Sequence, residues 1–388
     1  MIYLKIGNYT NKGDGLMLHA IINRLGEQTD VACLSLVADY KVRARMGLYQ
    51  ALWFESIPTF QNKLLASAFP SFLKKKYGLV ADGEFDAVID ASGFAYGDQW
   101  GEPKIKMTAD KIERWKKEGK KIIFLPQSLG SFKKPEVKKH FLRIVEAADL
   151  IYARDKTSYQ YAIEAAGNVS HIRQAPDFTG ALRGKKPDWF EAKERMACII
   201  PNHRMIDSTD DQVGPRYLPF LHETYEAFEK QGMHPFVLVH EKVDYDVALQ
   251  LQKSLGKKIE IVYDDSPLVL RGIIAECHIV LSSRFHGLIS TLSQSVPCLG
   301  TRWAHKFERV MEEYGMEDYL VSPLDAPEQI MEKIMRLDQS PTRQEAIDSI
   351  SRTVAQHQKL NNQMWEEVEK VLGLDKKVKA EAKLTAVE

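Results

Sequence analysis

Arg284 and His286 stand one residue apart in the stretch SSRFHGLIS, residues 282–290, directly after the apolar run HIVLS. In an extended segment, residues i and i+2 point to the same face, so both side chains are expected to project together while Phe285 packs the other way. Two basic groups in one small volume favour an anion between them, and backbone N–H groups at a helix start attract one as well. The stretch therefore predicts a receptor for a phosphate or a carboxylate.

A further basic residue, Lys306, follows in the run TRWAHKF, together with Arg302 and His305. A single lysine near a helix start is usually only solvated. Beside Arg284 and His286, however, Lys306 would complete a trio of donors to an anion.

The loop after the first predicted strand, GNYTNKGDG at residues 7–15, is rich in glycine and polar side chains. It matches neither the dinucleotide-binding nor the P-loop pattern. Its glycines would let the backbone approach a ligand closely, with Asn11, Lys12 and Asp14 supplying polar groups. The alternative is a tight turn in which Asp14 caps the following helix.

The loop ASGFAYGDQWG at residues 91–101 follows a second predicted strand. Its aromatic and acidic side chains, Tyr96, Asp98 and Trp100, suit a sugar, which offers an apolar ring face and hydroxyl donors. A packed loop without a ligand is the alternative.

Two more predicted strand ends carry polar residues. Gln127 and Ser128 lie in LPQSLGSF, and Arg154 and Asp155 lie in YARDKTS. On these residues alone, a local ion pair between Arg154 and Asp155 is preferred over a ligand contact.

Composition limits the class of protein. The chain has 388 residues, with 53 Lys plus Arg balanced by 53 Asp plus Glu, so no global field steers it toward nucleic acid or an anionic membrane. The four cysteines are scattered without a C-x-x-C pair and are interpreted as small core residues rather than metal ligands or disulfides. The N-terminus resembles no signal peptide and no stretch suits a membrane span, which predicts a cytoplasmic protein, with the inner face of the membrane as the alternative location.

Alternating strand-like and helix-like segments predict an α/β fold of two doubly wound, Rossmann-like domains that face each other across a cleft. Residues 45–80 break the pattern, with many aromatics, two prolines and a lysine run. They are interpreted as a helical hairpin on the sheet, with peripheral membrane contact as the alternative. The predicted boundaries are 1–178 for the N-terminal domain, 179–193 for a linker, 194–340 for the C-terminal domain, 341–373 for a helical segment and 374–388 for a disordered tail.

Taken in order, these motifs resemble the polysaccharide pyruvyl transferase family. The resemblance rests on N-x-G-D at 11–14, PQS-x-G at 126–130, A-R-D-x-x-S at 153–158, A-P-D at 175–177 and S-x-R-F-H-G at 282–287, followed by P-x-x-G and a lysine. Each motif is weak alone, but the ordered set covers most of residues 5–310.

The resemblance implies a GT-B-like fold, phosphoenolpyruvate as donor and a saccharide acceptor, free or lipid-linked, that receives a pyruvate ketal. It implies catalytic or donor-binding roles for His286 and Arg284, and a position for Asp14 among the catalytic residues. The expected substrate contacts are Arg154, Lys306, Ser283, Gly287, Asn11, Gln127, Ser128, Tyr96 and Asp98. No metal, no cofactor and no nucleic acid partner are expected. The alternatives are a GT-B glycosyltransferase that uses a nucleotide sugar, and a non-catalytic glycan-binding relative.

Overall fold

A computed structural model describes residues 1–52, 69–209, 211–303 and 305–374 of the chain, which divides into two compact units. The first unit comprises Met1–Thr179 and the chain from Lys359 onward, and the second comprises Gly180–Gln358. All but the first residue of the predicted linker 179–193 therefore belongs to the second unit. The predicted tail lies outside the described residues after its first position.

The first unit is built on an eight-stranded parallel sheet in the order β4-β3-β2-β1-β5-β6-β7-β8. Its strands are β1 Ile2–Ile6, β2 Val31–Leu34, β3 Tyr49–Ala51, β4 Leu79–Val80, β5 Ala87–Ala91, β6 Lys121–Gln127, β7 Leu150–Ala153 and β8 Ile172–Gln174. Its helices are Lys12–Leu25, Tyr40–Arg45, Ser71–Tyr77, Glu102–Lys117, Pro135–Ala147 and Lys156–Ala166. The long helix Thr342–Leu372 begins in the second unit and ends in the first.

The second unit has a six-stranded parallel sheet in the order β11-β10-β9-β12-β13-β14. Its strands are β9 Met196–Ile200, β10 His234–Val239, β11 Ile261–Tyr263, β12 Ile279–Ser282, β13 Cys298–Thr301 and β14 Leu320–Val321. Its other helices are Arg204–Asp207, Val213–Lys230, Tyr245–Leu255, Pro267–Ala275, Phe285–Ser293, His305–Glu313 and Pro327–Asp338.

The central strands are continuous apolar runs because helices cover both faces of a parallel sheet. MACII of β9 and IVLS of β12 are buried at every position. The four cysteines are free and buried, as the sequence predicts. Proline in the first turn, where its missing N–H costs nothing, begins Glu102–Lys117, Pro135–Ala147, Pro267–Ala275 and Pro327–Asp338.

Each sheet has one point where the strand order reverses, and loops at such a point commonly bind ligands. In the first sheet this point lies between β1 and β5, and in the second between β9 and β12. The loops after β5 and β12 carry the sugar-binding and anion-binding motifs predicted from the sequence.

The prediction of a helical hairpin over residues 45–80 is wrong at both ends. Tyr49–Ala51 and Leu79–Val80 are short strands that extend the sheet beyond β2, and only Ser71–Tyr77 is helical between them among the described residues. Residues 53–68 lie outside the described residues, so membrane contact through this segment stays a prediction. Within the described ranges, no helix is both long and apolar enough to cross a bilayer.

Candidate active site

Arg284 lies directly after β12 as the N-cap of the helix Phe285–Ser293, with extended dihedrals of φ −104° and ψ 129°. The helix begins at Phe285, so His286 lies in its first turn rather than in an extended strand end. The sequence argument that Arg284 and His286 share one face of an extended segment is therefore wrong. Both residues nevertheless remain at the carboxyl end of β12, beside the reversal point of the second sheet.

The guanidinium of Arg284 is held by two carboxylates. Its Nε and Nη2 donate to Asp244 at 2.9 and 2.5 Å, and its Nη1 lies 2.8 Å from Oε1 of Glu241. The side chain of Asp244 is 0% exposed, that of Arg284 13% and that of Glu241 26%. The expectation that Arg284 requires a bound anion is corrected, because the protein itself supplies two.

Asp244 connects three loops at this edge of the sheet. Besides the two bonds from Arg284, it accepts hydrogen bonds from the backbone N–H groups of His203 at 2.9 Å and Glu241 at 3.1 Å. Glu241 and Asp244 were not among the predicted site residues, although HEKVD directly follows β10. Their position directly after a parallel strand is the signal that indicates them, as for the other polar residues at strand ends.

Lys306 lies close to the same helix start. Its ammonium is 5.1 Å from the ring centroid of Phe285 and 5.8 and 5.9 Å from those of Trp303 and Phe307. Lys306 therefore lies beside Phe285, the residue between Arg284 and His286; that the three basic groups share one anion stays a prediction. The aromatic faces hold the ammonium by cation–π attraction.

Ser283 and Gly287, expected to contact substrate, have packing roles. The hydroxyl of Ser283 is 0% exposed and hydrogen-bonds Thr301 Oγ1 at 2.8 Å. Its carbonyl accepts from Asn202 Nδ2 at 3.0 Å. A Cβ on Gly287 would lie 2.7 Å from Ser282 Oγ, so glycine is required there by the neighbouring strand end.

In the first unit, Asn11 rather than Asp14 caps the first helix. Its Oδ1 accepts from the N–H groups of Gly13 and Asp14 at 2.9 and 3.3 Å. The carboxylate of Asp14 instead lies against Gly7 at the end of β1, where a Cβ would be only 2.0 Å from Oδ2. The backbone at Gly7 therefore lies close to the carboxylate of Asp14, a group of the protein itself. Asp14 lies at the reversal point of the first sheet.

Tyr96, an expected sugar contact, is 2% exposed. Its hydroxyl donates to Asp90 Oδ2 at 2.5 Å and accepts from Lys5 Nζ at 2.7 Å. Burial, followed by the Asp90 charge, raises the pKa of Tyr96 far above its ordinary value. Tyr96 therefore anchors its loop to the interior of the first unit and is not a sugar contact.

Asp98, the other expected sugar contact, stabilises the chain that leads into the helix Pro135–Ala147. Its carboxylate accepts from the N–H groups of Lys133 and Lys134 at 2.7 and 3.1 Å, and from Ser131 Oγ at 2.8 Å. Burial raises the pKa of Asp98, but these hydrogen bonds outweigh it and lower the pKa below its ordinary value. The ionised carboxylate of Asp98 is thus hydrogen-bonded within the protein and stabilises the fold.

Arg154 and Ser128 belong to one polar cluster at the ends of β6 and β7. Nη2 of Arg154 donates to Ser128 Oγ at 2.6 Å, and Nη1 lies 3.5 Å from Asp177. Arg154 is thus engaged within the protein, as the sequence predicts, and Asp177 is one of its partners. Gln127 is 0% exposed, and within the described part of the chain its amide has no hydrogen-bond partner.

Among the described residues, one group of possible metal ligands consists of Glu102, which begins the helix after the loop 91–101, and Glu136 and His140 on the helix Pro135–Ala147. Nδ1 of His140 accepts from Arg143 at 2.9 Å, and Nε2 faces Glu102 at 3.3 Å. Because arginine only donates, the proton of the neutral ring lies on Nε2. A metal could bind there only after that proton is lost, so we assign none.

Comparisons with known proteins agree with this architecture. A family model for polysaccharide pyruvyl transferase matches residues 11–305. Among solved structures, Anabaena HepE in complex with UDP and glucose is 11% identical with a TM-score of 0.54, over 95% of this chain and 100% of that chain. A glycosyltransferase from Rickettsia africae is 13% identical with a TM-score of 0.58, over 96% and 98%. A UDP-N-acetylglucosamine 2-epimerase is 12% identical with a TM-score of 0.56, over 97% and 98%.

At such low identity the solved structures establish the fold alone, which is GT-B-like with two parallel-sheet α/β units. The family model is more informative because it spans well over half of the 388 residues and contains the loops described above. The chain therefore belongs to the polysaccharide pyruvyl transferase family.

Proposed function

We propose that the protein transfers the pyruvyl group of phosphoenolpyruvate to two hydroxyl groups of a saccharide, forming a pyruvate ketal and releasing phosphate. The acceptor is a sugar of a cell-surface or exported glycan, or its lipid-linked precursor. The observation that carries the proposal is the pair Arg284 and His286 at the start of the helix Phe285–Ser293, within the range that the family model matches, with Lys306 close to the ring of Phe285.

The donor has a phosphate and a carboxylate, and the second unit offers groups for both. The first-turn N–H groups of the helix Phe285–Ser293 attract an anion. The side chain of the N-cap residue, Arg284, does not cover them, because it turns toward Asp244 and Glu241. Lys306 adds a positive charge beside the ring of Phe285. On Arg284, Asp244 holds the buried Nε–Nη2 edge, while the more exposed Glu241 contacts Nη1. We propose that the donor carboxylate replaces Glu241 on Nη1.

The reaction requires two proton movements. Protonation of the donor's methylene carbon generates an electrophilic carbon, which one sugar hydroxyl attacks; the second hydroxyl then displaces phosphate. Of the two hydroxyl protons, one ends in the new methyl group and the other on the released phosphate. His286 is proposed to relay these protons, because imidazole can both give and take a proton near neutral pH.

The first unit is proposed to bind the acceptor, with Asp14 receiving a hydroxyl proton. Asp98, the other carboxylate considered from the sequence, is excluded from this role because its oxygens accept three hydrogen bonds from Ser131, Lys133 and Lys134.

Since phosphoenolpyruvate is a metabolite of the cell interior, we propose that the reaction takes place there.

The test is to incubate the protein with phosphoenolpyruvate and a panel of galactosides, glucosides and N-acetylhexosaminides, following phosphate release and product mass. We expect phosphate release that depends on one class of acceptor and a product carrying a ketal. Phosphoenolpyruvate should also raise the melting temperature, because it binds only the folded state. A large thermal shift with UDP-hexose and none with phosphoenolpyruvate would favour a nucleotide-sugar glycosyltransferase instead.

A further inference from the structure

Phe94 and Trp100 project from the loop between β5 and the helix Glu102–Lys117, where they are 45% and 43% exposed. Their rings meet edge to face, with centroids 5.6 Å apart and an interplanar angle of 75°. The ammonium of Lys104 lies 4.6 Å from the centroid of the Trp100 ring. The pair stands at the carboxyl end of a parallel strand beside the reversal point of the sheet, which is where such sheets bind ligands.

The loop that carries the two rings is fixed to its neighbour. The N–H of Ser128 donates to Gly93 O at 2.8 Å, that of Gly130 to Tyr96 O at 2.9 Å, and that of Asp98 to Ser131 O at 2.8 Å. Gly97 has φ +139°, and a Cβ there would lie 2.6 Å from the Cα of Gly130. The backbones of the two loops therefore touch, and the exposure of the rings is built into the fold.

Two large rings that stay 45% and 43% exposed forgo part of the stabilisation that full burial of such side chains contributes. Two rings are also far too small for a stable protein interface, which needs about 800 Å² on each partner. A pyranose fits better, because the C–H groups of one sugar face can stack on an indole while Lys104 donates to its hydroxyls.

We propose that Phe94 and Trp100, the aromatic platform, stack against a pyranose ring of the acceptor. The identification of this sugar as the acceptor rests on the proposed function. Tyr96 and Asp98 then act indirectly in sugar binding, because their hydrogen bonds hold the platform loop in place. The platform is also preorganised, so that little conformational freedom is lost when the sugar binds.

The test compares Trp100→Ala with Trp100→Phe and with the control Trp189→Ala. Trp189 is 57% exposed and packs edge to face on Phe190 at 6.1 Å and 89°, but lies in the second unit. Saccharide binding is measured without phosphoenolpyruvate, by saturation-transfer NMR with the same glycoside panel. The acceptor KM is measured from phosphate release. The melting temperature of each variant, with and without phosphoenolpyruvate, reports folding and donor binding.

We expect Trp100→Ala to raise the acceptor Kd and KM about tenfold, Trp100→Phe to restore most of that loss, and Trp189→Ala to behave as the wild type. The donor-induced thermal shift should be the same in all three variants. Unchanged saccharide binding by Trp100→Ala, or no binding of any glycoside by the wild type, overturns the platform. Failure of the proposed function is distinct, because then no phosphate is released although the NMR signals still depend on Trp100.

Discussion

Asp244 contacts Nε and Nη2 of Arg284, and Glu241 contacts Nη1. Replacing each carboxylate by the corresponding amide should change the affinity for the donor in opposite directions. If Glu241 occupies the position of the donor carboxylate, Glu241→Gln removes a competitor and strengthens donor binding. If Asp244 holds Arg284 in place, Asp244→Asn weakens both the fold and the donor site.

The size of the Glu241 effect follows from its exposure. Glu241 is 26% exposed and its contact with Nη1 is 2.8 Å, so the pair is partly screened and contributes about 0.5–1 kcal/mol. Glu241→Gln should therefore lower the KM for phosphoenolpyruvate by about two- to fivefold, since 1.4 kcal/mol corresponds to a factor of ten. Gln keeps an oxygen for local hydrogen bonds, so stability should change little.

The Asp244 effect is larger because its side chain is 0% exposed and accepts four hydrogen bonds. Asparagine offers one acceptor oxygen and places N–H groups against donors. Breaking a buried charge pair costs about 3–5 kcal/mol. The melting temperature of a unit of this size should fall by roughly 6–20 °C, and the KM for phosphoenolpyruvate should rise.

The assay is phosphate release at varied donor concentration, combined with thermal unfolding. Glu223→Gln is the matched control, because Glu223 is 27% exposed and contacts Arg216 at 3.1 Å on the helix Val213–Lys230. That variant should leave the KM unchanged. The reasoning is refuted if Glu241→Gln raises the KM, or leaves it at the Glu223→Gln value, or if Asp244→Asn melts and turns over as the wild type does.

Three further outcomes are expected. His286→Asn keeps a hydrogen-bond donor but cannot relay protons, so kcat should fall about a hundredfold or more with the donor-induced thermal shift retained; near-normal turnover would assign the proton to another group. Gly7→Ala places a Cβ 2.0 Å from Asp14 Oδ2, so its kcat should fall as in Asp14→Asn, and full activity would separate Asp14 from the reaction. The folded-state pKa of Asp98 is lowered, so its contribution to stability is present above the ordinary carboxyl pKa of about 4 and is lost as the pH falls below that value. Asp98→Asn should remove this part of the pH dependence of the melting temperature. An unchanged pH profile would show that Asp98 does not contribute.

The α/β architecture could be predicted from the sequence because buried parallel strands are apolar runs and the helices between them are amphipathic. The short strands β3, β4, β8 and β14 have only two or three residues each. So few residues carry no readable alternation, and pairing with neighbouring strands decides their conformation.

The positions of the site residues were also predictable, since polar residues after strands meet at one edge of a parallel sheet. Their partners were not. Arg284 and Asp244 are 40 positions apart in the chain, and no local pattern indicates that one neutralises the other. Local chemistry likewise suggested sugar contacts for Tyr96 and Asp98, whereas Asp90 and the segment 131–134 engage them in the folded chain.

The most direct test of the proposed reaction is an NMR experiment in D₂O with the protein, phosphoenolpyruvate and an accepted saccharide, observed through phosphorus and proton signals together. We predict equal amounts of phosphate and saccharide ketal, with a single deuterium in each new methyl group because the solvent-exchanged proton adds to the methylene carbon. Phosphate release without a ketal, or a product that keeps the vinyl protons of the donor, would contradict the account.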